Sequence, residues 1–118
     1  VNAGKDPVTR IMVMSTTDMH GKVWNTDVLT DAAVKNSFLK VATAVQDIRS
    51  AYGEENTILV DNGDLFQGTT VSPYNILSSG GRDNPMVLAL RSIGYDAFVL
   101  GNHEFNYPWR PPRPCTPS

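Results

Sequence analysis

Hydrophobic positions follow two rhythms along this chain. Residues 10–16 (RIMVMST), 57–61 (TILVD) and 96–100 (DAFVL) are short apolar runs without a 3.6-residue period. They predict three strands, and the first is read as buried on both faces. Two amphipathic stretches lie between them. Phe38, Val41, Ala42, Val45 and Ile48 share one helical face, with Lys40, Gln46, Asp47 and Arg49 opposite. Asn36 or Ser37 suits the start and Gly53 the stop, so a helix is expected over about residues 34–51. Asp83 or Asn84, followed by Pro85, opens a second helix with Met86, Leu90 and Ile93 on one face, Val87 and Ala89 beside it, and Gly94 at its end. A short helix is also expected over residues 74–79, and loops over residues 1–9 and 17–31.

The order strand, helix, strand, helix, strand predicts an α/β fold, a βαβαβ unit with a mainly parallel sheet and right-handed crossovers. In such sheets the carboxyl ends of the strands share one edge, and ligands bind there. The pattern stops at Tyr107. Residues 108–118 hold five prolines, which block helix continuation, so a further crossover helix is excluded there. The chain therefore divides into residues 1–107 and a proline-rich tail, 108–118, read as irregular. A ligand for an aromatic groove is the alternative for the tail.

Composition narrows the class. With 118 residues there is room for one ordinary domain. A net charge of −2 gives no basic footprint for duplex nucleic acid or an anionic membrane. Apolar residues at 41% with 19% charged residues fit a globular chain rather than a disordered one. No apolar run approaches the roughly 20 residues of a membrane span. The single cysteine, Cys115, excludes an internal disulfide and a cysteine zinc knuckle. The chain begins at Val1 without a basic-then-apolar leader, which leaves room for a leader or a larger part upstream.

Chemistry gathers where the strands end. The first runs into Thr17-Asp18-Met19-His20-Gly21, the second into Asp61-Asn62-Gly63-Asp64, the third into Gly101-Asn102-His103-Glu104. Taken singly, Asp-x-His is commonly a surface loop, Asn-Gly-Asp a turn and His-Glu a solvated pair. Together they hold both histidines of the chain, and the fold places all three on one edge. Asp18, Asp64, His20, His103 and Asn102 offer oxygen and nitrogen donors without thiolate, which suits Zn²⁺, Mn²⁺ or Fe²⁺ better than a calcium cage. A carboxylate shared between two such ions, roughly 3.5–4 Å apart, is an arrangement for phosphoester hydrolysis. Asp61 is read as structural, bonded to nearby backbone, and Glu104 as at most a supporting group.

Asp18-Met19-His20, Gly63-Asp64 and Gly101-Asn102-His103-Glu104 resemble the D-x-H, G-D and G-N-H-[ED] motifs of the calcineurin-like metallophosphoesterases. The flanking residues through Leu65-Phe66-Gln67-Gly68 and Phe105-Asn106-Tyr107 are similar to the nucleotidase branch, within it to the 2′,3′-cyclic-nucleotide 2′-phosphodiesterase/3′-nucleotidases. The resemblance spans roughly residues 10–107. It implies the N-terminal part of an α/β/β/α sandwich, with Asp18 and His20 on a first divalent metal ion, Asp64 bridging, Asn102 on the second, and catalytic His103 against the phosphoryl group. The implied substrates are 2′,3′-cyclic or 3′-nucleotides, in an extracytoplasmic location. Where the 5′-nucleotidase group usually carries Asp, this chain has Asn106, which holds an imidazole by hydrogen bond without charge.

The family completes its metal shells with later histidines, and none follows His103 here. The expectation is a truncated enzyme, through a frameshift near codon 108, with an incomplete second metal shell. Such a piece is expected to expose one sheet face and to self-associate. A non-catalytic metal-binding remnant and an α/β interaction module with a proline-rich tail are the alternative readings.

Overall fold

The computed structural model describes residues 9–71, 74, 75 and 84–107. The element order is β1 (Met12–Thr16), α1 (Phe38–Tyr52), a 3₁₀ turn (Glu54–Asn56), β2 (Thr57–Asp61), α2 (Pro85–Ile93), β3 (Ala97–Phe98) and a second 3₁₀ turn (His103–Asn106). The strands form one parallel sheet in the order β1-β2-β3. This is the expected βαβαβ unit. Most of the short helix expected over residues 74–79, the lead-in over residues 1–8 and the tail 108–118 lie outside the described residues.

Two strands are shorter than expected, for reasons visible in the ladder. β1 pairs from Met12 opposite Thr57, because the preceding residues of the β2 arm are wound into the 3₁₀ turn. β3 pairs at only two positions, Ala97 with Val60 and Phe98 with Asp61. The Val99 amide still donates to the Asp61 carbonyl, but the next amide of the β2 arm on that side, Gly63, is turned to the Asp61 carboxylate at 3.0 Å, and the pairing ends there. Asp96 closes the other end: its amide donates to the Leu59 carbonyl, and its carboxylate accepts from the Leu59 amide at 2.8 Å.

The helices start and stop where their capping residues stand. Ser37 caps α1 by accepting from the Lys40 amide, and Gly53 ends it at positive φ. Asn84 accepts from the Met86 amide, Pro85 occupies the first turn of α2, and Gly94 terminates it in the left-handed region. The guanidinium of Arg49 then joins the helices, donating to the Ile93 and Gly94 carbonyls at 2.6 and 2.7 Å. It satisfies acceptors that the last turn of a helix leaves without an intrahelical donor.

Both helices pack on one side of the sheet. Met19, Phe38, Leu65, Met86 and Leu90 form the buried cluster, with Val41, Ile93, Tyr95 and Phe98 against it, and Leu59 is fully buried in β2. The other side is open among the described residues. Ile11 and Val13 are each 63% exposed and Ile58 is 41% exposed. The double-sided burial expected for β1 is therefore corrected: its burial alternates, and only Met12, Met14 and Thr16 turn toward the helices. A run of consecutive apolar residues does not reveal whether both faces are covered, and here the elements supply cover for one.

Candidate active site

The backbone beyond the strands is what brings the three polar turns together. After β1 the chain keeps alongside β2: the amides of Asp18, His20 and Gly21 donate to the carbonyls of Gly63, Asp64 and Leu65 at 2.8–3.1 Å. Met19 and Leu65, each set inside a polar motif, point into the core and are 4% and 0% exposed. Their burial anchors the turns and leaves Asp18, His20 and Asp64 at the edge. Gly63 and Gly101 let the second and third turns touch, since a Cβ on Gly63 would stand 2.5 Å from the Gly101 nitrogen.

Asp18, His20 and Asp64 share an uncommon backbone state. Their φ angles are 54°, 50° and 57°, and Asp31 is the only other non-glycine residue with positive φ among the described residues. That conformation costs an L-residue roughly 1–2 kcal/mol. Such strain persists where surrounding structure over-determines it, and it clusters at functional sites. Here the bracing is the ladder of amides just described, plus one carboxylate.

That carboxylate is Glu104. Its Oε2 accepts from the Asp64 and Gly101 amides at 2.9 and 2.7 Å, and its Oε1 from the Leu65 and Phe66 amides at 2.6 and 3.2 Å. A single side chain from the third turn thus ties down the second. This is a supporting part, as expected of it, and three of its four partners lie 38–40 residues away, where no sequence spacing points.

Asp61 behaves as read. It is fully buried, and its carboxylate accepts from the Thr16 hydroxyl at 2.6 Å and the Gly63 amide at 3.0 Å. Since Thr16 gives its proton to Asp61, the Tyr95 hydroxyl is the donor in its 2.9 Å contact with Thr16. Burial pushes Asp61 above the usual carboxylate range; the bonds from Thr16 and Gly63 oppose this, and the charges of Glu104 and Asp18 reinforce it. Burial raises the Tyr95 hydroxyl as well.

Asp18 and His20 form the tightest pair of candidate ligands, with Oδ1 3.5 Å from Nε2. His20 Nδ1 lies 2.6 Å from the Gln67 carbonyl oxygen. A carbonyl only accepts, so Nδ1 carries the proton and Nε2 of the neutral ring presents a lone pair. Two electron-pair donors then stand 3.5 Å apart. Donors roughly 2.0–2.2 Å from a tetrahedral metal ion stand about 3.3–3.6 Å apart, so the pair fits one ion. A backbone acceptor on the far ring nitrogen is also the usual support of a metal-binding histidine.

The other candidates approach without completing a cage. Asp64 Oδ1 accepts from the His103 amide at 3.0 Å, and the rings of His20 and His103 meet edge to face with centroids 5.8 Å apart. Asn102 is exposed at the start of the 3₁₀ turn. His103 Nδ1 lies 2.9 Å from Asn106 Nδ2, which also donates to Gln67 Oε1. Among the described residues, no three His, Cys, Asp or Glu side chains gather in a group able to hold a metal ion. The residues fit half of a metal shell, the Asp18–His20 pair, and not a closed one. Glu104 is the last residue of its motif and was read as at most a supporting group; Gln67 was not singled out as a site residue, and its one signal is that it lies close after Gly63-Asp64.

The family model described as calcineurin-like phosphoesterase matches residues 11–116. The chain is 36% identical over 107 residues to the 2′,3′-cyclic-nucleotide 2′-phosphodiesterase/3′-nucleotidase of Haemophilus influenzae, covering 88% of this chain and 16% of that protein. It is 34% identical to the trifunctional nucleotide phosphoesterase protein YfkN of Bacillus subtilis, covering 86% of this chain and 7% of the relative. The crystal structure of the calcineurin-like phosphoesterase YfkN superposes with a TM-score of 0.75 at 33% identity, over 86% of this chain and 32% of that one. The chain thus spans less than a fifth of the length of these curated relatives. Fold and sequence agree, and the chain belongs to the calcineurin-like phosphoesterases.

Proposed function

We propose that this chain carries the N-terminal part of a metal-dependent site for hydrolysis of nucleotide phosphoesters, of the 2′,3′-cyclic-nucleotide 2′-phosphodiesterase/3′-nucleotidase type. The observation that carries the reading is the Asp18–His20 pair, two lone-pair donors 3.5 Å apart with the far ring nitrogen already committed. Asp18 and His20 would hold one divalent ion and Asn102 a second, with Asp64 shared between them. Divalent ions bound there polarise the phosphoryl group and activate the attacking water. His103 stands beside the His20 ring and offers its Nε2–H to a phosphoryl oxygen or the leaving oxygen. Glu104 keeps the second and third turns in register through four amides, so the two halves of the site do not drift apart.

The second reading is a remnant that binds an ion without turnover. What favours it is that the described ligands close no full shell. An extracytoplasmic location follows from the family resemblance. The apolar open face, with Ile11, Val13 and Ile58, supports association of the isolated chain through its sheet.

Calorimetric titration with Mn²⁺ and Zn²⁺, beside hydrolysis assays on 2′,3′-cyclic AMP and a bis-aryl phosphate, separates the readings. The expected result is ion binding that Asp18→Asn removes, and turnover that His103→Ala abolishes while binding persists. Binding without turnover selects the remnant. Absence of both overturns the metal-dependent reading of this chain.

A further inference from the structure

Asn62-Gly63 is the one Asn-Gly pair in the chain, and it lies inside the second turn, directly before Asp64. Asparagine is a thermolabile residue, and a following glycine, with no Cβ, leaves its side chain open to attack by the next main-chain nitrogen. We infer that Asn62-Gly63 is a latent self-modification site, able to close a succinimide and open it to isoaspartate, which the folded edge keeps dormant through the bond from the Gly63 amide to Asp61. The inference does not depend on what the edge binds.

The chemistry needs no reactant beyond water. The Gly63 nitrogen bonds to Asn62 Cγ and gives up its proton, the Cγ–Nδ2 bond breaks, and ammonia leaves with that proton. Water then opens the imide ring. Breaking the bond from the Gly63 nitrogen to Cγ leaves aspartate. Breaking its bond to the Asn62 main-chain carbonyl carries the chain through the side chain instead, as isoaspartate. Asn62 is exposed, so water reaches it and ammonia escapes. Neither the residue types nor the exposure of Asn62 prevents the reaction.

What holds it off is the main chain. Attack requires the Asn62-Gly63 peptide plane to turn until the Gly63 nitrogen lies over Cγ, and both sides of that plane are pinned. The Asn62 amide donates to the Thr16 carbonyl at 2.8 Å, the Gly63 amide to the Asp61 carboxylate at 3.0 Å, and the Gly63 carbonyl accepts from the Asp18 amide at 3.0 Å. Gly63 has no room to swing, since a Cβ there would stand 2.5 Å from the Gly101 nitrogen. The Asp61 carboxylate is itself fully buried and tied to Thr16, so it does not follow a moving amide. Isoaspartate would add a main-chain methylene between β2 and Asp64. The Gly63 carbonyl and the Asp64 amide would then lose register with the Asp18 amide and the Glu104 carboxylate. A chain modified while open therefore does not reclose its edge.

Peptide mapping for isoaspartate at Asn62, on the full chain incubated in mildly alkaline buffer with and without urea, tests this. The folded wild type is expected to convert roughly tenfold or more slowly than the chain in urea. Folded Asp61→Ala, which removes the acceptor, is expected to convert roughly tenfold or more faster than the folded wild type, the factor that one hydrogen bond to a charged group is worth. Its unfolded fraction is measured on the same sample, and that share of the conversion is subtracted. Asp61→Asn is expected to keep the wild-type rate: the Gly63 amide only donates, so it selects the amide oxygen, and the Thr16 hydroxyl accepts from the nitrogen. Conversion as fast in the folded wild type as in urea, or absent in urea, overturns the inference. So does a folded Asp61→Ala no faster than the wild type, or an Asp61→Asn as fast as Asp61→Ala. If Asp61→Ala does not fold, hydrogen exchange of the wild-type Gly63 amide decides. Slow exchange that urea speeds in parallel with conversion supports the pinned amide, and free exchange beside slow conversion overturns it.

Discussion

The covered face of the sheet and its carboxyl edge are built from the same three strands by opposite means. On the face, Leu59 is fully buried and Phe38, Leu65, Met86 and Leu90 form a cluster, and stability scales with apolar area removed from water. At the edge, little apolar surface is gained. Order comes instead from amides donated to carbonyls and carboxylates, and it holds three non-glycine residues at positive φ. The face tolerates exchange of one apolar side chain for another of similar volume; the edge tolerates a change of volume only if its acceptors stay in place. The contrast separates what folds the chain from what shapes the site.

The largest effect that would sharpen this contrast is on the face. Leu59→Ala is expected to cost about 2–5 kcal/mol, read from urea denaturation, by lost burial and a cavity in rigid surroundings. Glu104→Gln comes next, at about 1–3 kcal/mol. Its amide keeps one acceptor oxygen and turns an NH₂ group against two backbone amides that now bond Glu104. Its ion binding, measured by calorimetry, is expected to fall by a larger factor than its stability suggests. A stability loss equal to that of Leu59→Ala, with ion binding intact, would break the division between face and edge.

The smallest effect concerns pH. Asp61 is raised by burial, so it holds its proton more tightly folded than unfolded. Its contribution to stability is complete below its unfolded pKa and is lost as pH rises through the raised folded value. The stability of the wild type relative to Asp61→Asn is therefore expected to fall across that interval, measured as the difference between two denaturation series. A difference that grows with pH would show that the bonds from Thr16 and Gly63 outweigh burial, and that this buried carboxylate belongs with the edge.

How much could be read beforehand follows the same division. α1 and α2 were legible because Ser37, Gly53, Asn84, Pro85 and Gly94 are local signals acting on their own neighbours. The strands were legible as apolar runs, and their shared edge followed from the order of elements. What escaped was set by distant partners. Arg49 reads as one of several polar residues on the outer face of α1, yet it caps α2. Tyr95 reads as the residue after a helix stop, yet its hydroxyl supports Thr16. The open side of β1 escaped because MVMST shows no alternation, while the burial of its residues depends on which layers lie above and below. The candidate ligands were visible as motifs. The backbone partners through which Gln67 and Glu104 support them were not, since a bond to a backbone amide or carbonyl requires nothing of the partner's residue type.

The brace at Glu104 has a consequence for how this edge moves. The amides of Asp64, Leu65, Phe66 and Gly101 all end on one carboxylate, so they do not open independently. Rotation of one side chain frees all four, and closing restores them together. The edge then behaves as a latch with two positions rather than as a set of separately fraying loops.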